Sequence, residues 1–424
     1  MFKRAVLVVV VVLVAAGCHW LEKPGLGPRL NVVVGPPGAA GTRVVTVTAT
    51  DLAAGAPART KVRLDGPRGP VLATGTTLPL SFSLDGAAVG PGVHALFVQS
   101  KVDDVKRRGV SAWDNSLRLN QFQALGSHNS YHEYPPYPLD GIESLQYFHD
   151  PLDVQLESQG VRQFELDVSV NDDDTFAVIH IQGIDEHSTC PALLDCLHLI
   201  RDWSAAHSQH IPIAVLLELK NDDYGLPDLP YHNWVAADLD RLDATIRSVF
   251  PENALYTPDD LRGAHSTLPE AIATDGWPTL DSVRGQTMFL MDNSGTFRTW
   301  YRAGHPGLSG RVIFTNGDPG ADDAAFVKRN DAKGSLADIQ SLVAQGYVIR
   351  TRTDADTKEA RTNDTSTRDA AFASAAQWVS TDYEVAGRAF GTPYVVAIPG
   401  GTPARCNPVN APSWCTSAMV ESLP

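Results

Sequence analysis

Eight short apolar runs, most of them separated by an amphipathic stretch, govern what the chain beyond Leu119 can fold into. The runs are residues 122–127, 163–168, 176–181, 213–219, 287–291, 311–314, 347–351 and 378–381. The stretches with helical spacing are residues 152–159, 193–206, 234–249, 336–345 and 368–377. Strands that alternate with helices over some 275 residues predict an α/β fold, a closed (β/α)8 TIM-type barrel, across residues 119–398. A doubly wound open sheet is the alternative, but no Gly-rich phosphate loop follows any of these runs.

A different pattern precedes the barrel. Residues 29–102 alternate apolar and polar positions in short runs broken by Pro36-Pro37-Gly38 and Pro91-Gly92. That spacing predicts a small all-β immunoglobulin-like sandwich, an accessory module without clustered His, Asp or Glu. Residues 103–118, charged at their start, read as a linker, and residues 399–424 as a C-terminal tail closed by a disulfide. The N-terminus has Lys3 and Arg4, then an apolar run too short to serve as a permanent membrane helix, then Ala15-Ala16-Gly17-Cys18. Residues 1–18 resemble a lipoprotein signal peptide and lipobox. The resemblance implies export to a bacterial cell envelope and anchoring through a lipidated Cys18; a plain secretory signal is the alternative. Cys190 with Cys196, and Cys406 with Cys415, lie close enough in sequence to close small loops, as an oxidising compartment allows. A net charge of −15 argues against nucleic acid as a partner, and against a broad electrostatic grip on anionic lipid.

Chemistry-bearing residues collect at the ends of the first runs. Ser127-His128-Asn129-Ser130-Tyr131 closes the run 122–127, Glu165-Leu166-Asp167 lies in the next, His180 near the end of 176–181, and Glu218-Leu219-Lys220 at the end of 213–219. Glu165 and Asp167 are two apart, as are Glu218 and Lys220, so each pair shares one face of its strand. Active groups of such barrels sit at the C-terminal ends of the strands. Three carboxylates and the amide oxygen of Asn129, with no thiolate, describe a site for a hard cation such as Ca2+ or Mg2+. The competing account is an ion-pair network in which Lys220, Arg350 and Arg352 neutralise the acids. His128 and His180 across the mouth read as an acid/base couple.

These segments resemble the calcium-dependent phosphatidylinositol-specific phospholipase C family. The run 127–131 is similar to its Ser-His-Asn-Thr-Tyr signature, and Asp167 and His180 stand thirteen apart, as in the family. The resemblance covers about residues 119–394. It implies a phosphodiesterase acting on a phospholipid, Ca2+ as cofactor, His128 and His180 as catalytic residues, and Asn129, Glu165, Asp167 and Glu218 as ligands. Lys220, Arg350, Arg352 and Tyr383 are loose candidates for binding substrate. Barrel-type sphingomyelinases share the Glu-x-Asp pair and glycerophosphodiester phosphodiesterases the barrel. A surface lipoprotein that binds a phosphorylated ligand without turnover is the reading of another class.

Overall fold

The computed structural model describes residues 29–35, 42–86, 89–135, 142–221 and 226–421; the signal segment and Cys18 lie outside the described residues. The chain divides into two compact units between Leu117 and Arg118, with Pro412–Trp414 grouped with the first.

The first unit has seven strands, β1 (Asn31–Val34), β2 (Arg43–Thr48), β3 (Ala56–Leu64), β4 (Val71–Leu78), β5 (Leu80–Leu84), β6 (Val93–Val102) and β7 (Val105–Asp114). They form two antiparallel sheets, β1-β2-β5 and β4-β3-β6-β7. This is a sandwich of the immunoglobulin-like kind. Val45 and Val47 from the first sheet and Val62, Leu96, Val98 and Trp113 from the second share one buried core. The stretch read as a linker is instead mostly strand β7, paired with β6 along its whole length and turning back at Asp103-Asp104. A strand accommodates this charged run because Lys106 faces solvent while the buried Arg107 is paired with Asp51.

The second unit holds eight parallel strands. In chain order they are β8 (Phe122–Ser127), β9 (Val161–Asn171), β11 (Ile213–Leu219), β13 (Thr287–Met291), β14 (Ile313–Phe314), β15 (Phe326–Lys328), β16 (Val348–Arg352) and β17 (Trp378–Thr381). Each pairs with the next, β17 pairs with β8, and an Asn316–Phe326 bridge joins β14 to β15, so the ring closes. All of β8 and β13 is buried, as expected of strands covered on both faces. Gly126 in β8 leaves room for Gln163, whose Oε1 lies 2.1 Å from where a Cβ at position 126 would stand, so that a larger residue there would displace this side chain.

Two strand assignments change. The run 176–181 is not a barrel strand: β10 (Phe176–Val178) folds back antiparallel on β9, extending it as a hairpin. The strand that completes the eight is β15, sixth in chain order and, at three residues, too short to show a pattern. Two further pieces join the sheet, β12 (Tyr231–His232) at the end of β9 and β18 (Ala404–Cys406) on β8. Residues 399–424 are therefore more than a tail. β18 pairs with the first half of β8, where β9 has not yet begun to pair. Both disulfides form as paired from the sequence, Cys190–Cys196 and Cys406–Cys415. No helix among the described residues is long and apolar enough to cross a membrane.

Candidate active site

The C-terminal ends of β8, β9 and β11, with the hairpin after β9, bring most of the predicted residues together. His128 and Asn129 follow β8 directly, and Asn129 adopts φ 42°, a left-handed conformation that Asn accepts better than most residues. Its Nδ2 donates to Tyr147 Oη at 2.9 Å, while its Oδ1 is buried without a partner. Asp167 and Glu218 are direct partners in the β9–β11 register. One carboxylate oxygen from each of Glu165, Asp167 and Glu218 lies within 4.8 Å of the others. Asp167 is 1% exposed and neither of its oxygens accepts a hydrogen bond.

Burial, followed by the charge of Glu218, pushes Asp167 well above the carboxylate range. Glu165 is raised to about 7, chiefly by burial, although the Arg350 guanidinium opposes the shift. Two buried carboxylates that resist ionisation, Glu165 and Asp167, and a buried, unpartnered amide oxygen at the end of the neighbouring strand are what a hard cation relieves. The donor set is all oxygen and fits Ca2+. Asp292, at the end of β13, adds a fifth oxygen-bearing side chain nearby; its charge raises both Glu165 and Asp167, and its own Oδ1 is buried and unpartnered.

Neutralising side chains are present as well. Lys220 Nζ stands 3.2 Å from Glu218 and 3.4 Å from Asp167. Arg350, on β16, reaches across the barrel interior to Glu165 and also donates to Asn330 Oδ1 at 2.6 Å. It is fully buried, and its guanidinium is engaged by Glu165 and Asn330. Tyr383 is also buried, with its hydroxyl unpartnered; it lines a cavity of about 330 Å³ with Tyr147, Asp382 and Arg388.

Each histidine has its own carboxylate, and both carboxylates escaped the sequence reading. His128 Nδ1 lies 2.7 Å from Asp382 Oδ1, and its Nε2 accepts from Arg352 Nη1 at 3.0 Å. Arg352 Nη2 donates to the other oxygen of Asp382 at 3.1 Å. Burial, then the Arg352 charge, pushes His128 well below its usual range and keeps it neutral. His180 Nδ1 lies 2.8 Å from Asp185 Oδ2, and the same oxygen takes His132 Nε2 at 2.9 Å. Burial disfavours the charge on Asp185, but hydrogen bonds from His132 and His180 outweigh it and hold the group down at about 2. The Tyr147 ring links the two halves, stacked on His132 at 4.4 Å and 6.1 Å from His128. Asp382 and Asp292 each follow a barrel strand directly, so the strand-end rule that found His128 applies to them too. Asp185 and His132 carry no such signal.

Comparison with known proteins places this geometry. Residues 117–175 and 171–408 match the model of a family described as phosphoinositide phospholipase C, Ca2+-dependent. Among solved structures, a Ca2+-dependent phosphatidylinositol-specific phospholipase C from Streptomyces antibioticus is 21% identical, with 63% of this chain and 96% of that one covered and a TM-score of 0.46. A calcium-dependent phosphoinositol-specific phospholipase C from a Pseudomonas species is 18% identical, covering 68% and 95%, with a TM-score of 0.47. No curated protein matches the chain. The family match spans the whole barrel and both histidine–carboxylate pairs, and the chain accordingly belongs to the calcium-dependent phosphoinositide phospholipases C, phosphoric diester hydrolases that take Ca2+ as cofactor and a phospholipid as substrate.

Proposed function

We propose that the barrel cleaves the glycerol–phosphate bond of phosphatidylinositol by attack of the inositol 2-hydroxyl on phosphorus, releasing diacylglycerol and a cyclic inositol phosphate. The observation that carries this reading is the separation of two histidines, each with its own carboxylate, beside a cluster of buried oxygens. Asn129, Glu165, Asp167 and Glu218 would hold Ca2+, which when bound neutralises charge on the phosphoryl oxygens and acidifies the attacking hydroxyl.

The side chains divide the remaining work. Glu218, a third exposed at the mouth, is placed to take the hydroxyl proton, whereas Glu165 is closed off by Arg350. As the new O–P bond forms, charge grows on the equatorial oxygens, where Arg352 and His128 stand. Burial and then the Arg352 charge disfavour the imidazolium of His128. The anionic phosphodiester draws Arg352 away and offsets its charge, so that His128 takes a proton from solvent as substrate binds, donates it as a hydrogen bond from Nε2 with Asp382 as counter-ion, and returns it when product leaves. His180 protonates the departing glycerol oxygen from Nε2, because Asp185 occupies its Nδ1. The electron pair of the broken P–O bond leaves with diacylglycerol, and the proton balance closes between Glu218 and His180.

The test is a headgroup panel assayed with and without chelator. Phosphatidylinositol should be cleaved to diacylglycerol and a cyclic phosphate in the presence of Ca2+ only. Turnover of sphingomyelin or glycerophosphodiesters in preference to phosphatidylinositol, or full activity in excess chelator, would replace this reading. We further propose, from the Ala15-Ala16-Gly17-Cys18 segment alone, that the protein is exported and held at the bacterial envelope by a lipidated Cys18.

A further inference from the structure

The whole-chain charge of −15 conceals an opposite charge on the sandwich. Residues 29–117 carry ten Lys and Arg against six Asp and Glu, whereas residues 118–424 carry 21 against 42, so the acidity belongs to the barrel. The sandwich cations are concentrated on one face. In the β3–β6–β7 register, Arg59 stands opposite Lys101 and Lys101 opposite Lys106; one step along, Lys61 stands opposite Gln99 and Gln99 opposite Arg108. The opposite face of the same strands carries Val62, Val98 and Val102 in the core. Arg59, Lys61, Lys101 and Lys106 are exposed and, with Thr74 and Gly75 from β4, border a depression of about 490 Å³.

Like charges directly opposite on neighbouring strands destabilise a sheet, since their Cβ atoms lie only about 5 Å apart. Three in one row are costly unless something anionic covers them. Lys101 has Asp104 beside it, but among the described residues no carboxylate pairs with Arg59, Lys61 or Lys106. The arrangement is that of a surface built to meet spread-out negative charge.

We infer that the outer face of the four-stranded sheet is a docking surface for an anionic phospholipid bilayer. Charge complementarity selects that occupant. The family substrate is a phosphoinositide, an anionic lipid presented on a membrane, and the acidic barrel by itself is repelled by such a surface. A basic sheet face supplies the missing attraction through charge. The inference concerns adsorption and stands apart from the chemistry proposed for the barrel.

The full chain carrying Cys18→Ser, which removes any acyl contribution, is sedimented with vesicles of phosphatidylcholine alone or of phosphatidylcholine with phosphatidylglycerol, an anionic lipid that lacks inositol. Binding should need the anionic lipid and weaken steeply between low and physiological salt. Each cation near an anionic leaflet contributes about fivefold, so Arg59→Gln, Lys61→Gln, Lys101→Gln and Lys106→Gln together should lower the partition coefficient by two to three orders of magnitude. Activity on a water-soluble phosphodiester should not change, which also confirms that the variant is folded. Equal partitioning of variant and parent, or binding indifferent to salt, overturns the inference. So does a parent that ignores the vesicles yet binds a soluble polyphosphate, which would make the face a polymer site. Failure of the headgroup panel leaves this readout intact, so the two proposals fail separately.

Discussion

Substituting Asp185 by Asn tests whether His180 is the acid of the reaction or only a polar neighbour. Asp185 Oδ2 holds His180 at 2.8 Å and His132 at 2.9 Å, and the side chain is buried. Asn keeps the shape and one acceptor but removes the charge. A hydrogen bond to an ionised partner contributes about 1.5–3 kcal/mol, a factor of about ten to 150 in rate if it is needed to orient the proton donor. His180→Ala removes the donor itself, with an expected loss of about 10²–10⁴ in kcat and little change in KM. The double variant should be no slower than His180→Ala, because the pair acts as one unit. The assay compares kcat on phosphatidylinositol with kcat on an analogue bearing an aryl leaving group of low pKa. That leaving group departs without a proton, so both variants should recover most of their activity on it. His128→Ala should stay impaired on both substrates, since charge on phosphorus develops in either case. Losses from Asp185→Asn that are equal on the two substrates, or that multiply with those of His180→Ala, would refute the assignment and leave Asp185 a purely structural group.

Three further outcomes follow from the structure. Arg350→Met should destabilise the protein by about 3–5 kcal/mol by stranding the Glu165 carboxylate in the barrel, and adding Glu165→Gln should restore part of that loss in urea unfolding. His210 is buried against Ser204 Oγ at 2.7 Å, and burial holds it down at about 4. Between pH 6.5 and 4 the unfolded chain therefore binds the extra proton. Stability should fall across that window as pH falls, by up to about 3 kcal/mol, and His210→Gln should flatten the slope seen in thermal melts. Cys18→Ser should move the protein from the membrane fraction to the soluble exported fraction if the lipidation proposal holds; unchanged membrane association would remove it.

The sequence alone determined the alternation of strand and helix, the barrel, and the identity of the residues that crowd its mouth. Strands 122–127, 213–219, 287–291 and 378–381 were legible to the residue because each is an apolar run buried on both faces, which leaves a continuous signature. The same signature cannot say which neighbour a run pairs with. Phe176–Val178 therefore has the pattern of a barrel strand but folds back as a hairpin, while Phe326–Lys328, the strand that completes the eight, is too short to register.

Tertiary structure decided what the charges do. Asp382 finds His128 from 254 residues away, and Arg350 finds Glu165 from 185, because parallel strands set side by side bring distant positions into one layer. Hydrogen-bond partnership is a matter of distances of about 3 Å, and nothing in one-dimensional spacing encodes them. Net charge fails for a related reason. It sums over all surfaces, whereas a bilayer or a phosphate meets only one, and the basic sheet face emerged only when β3, β6 and β7 were placed in register.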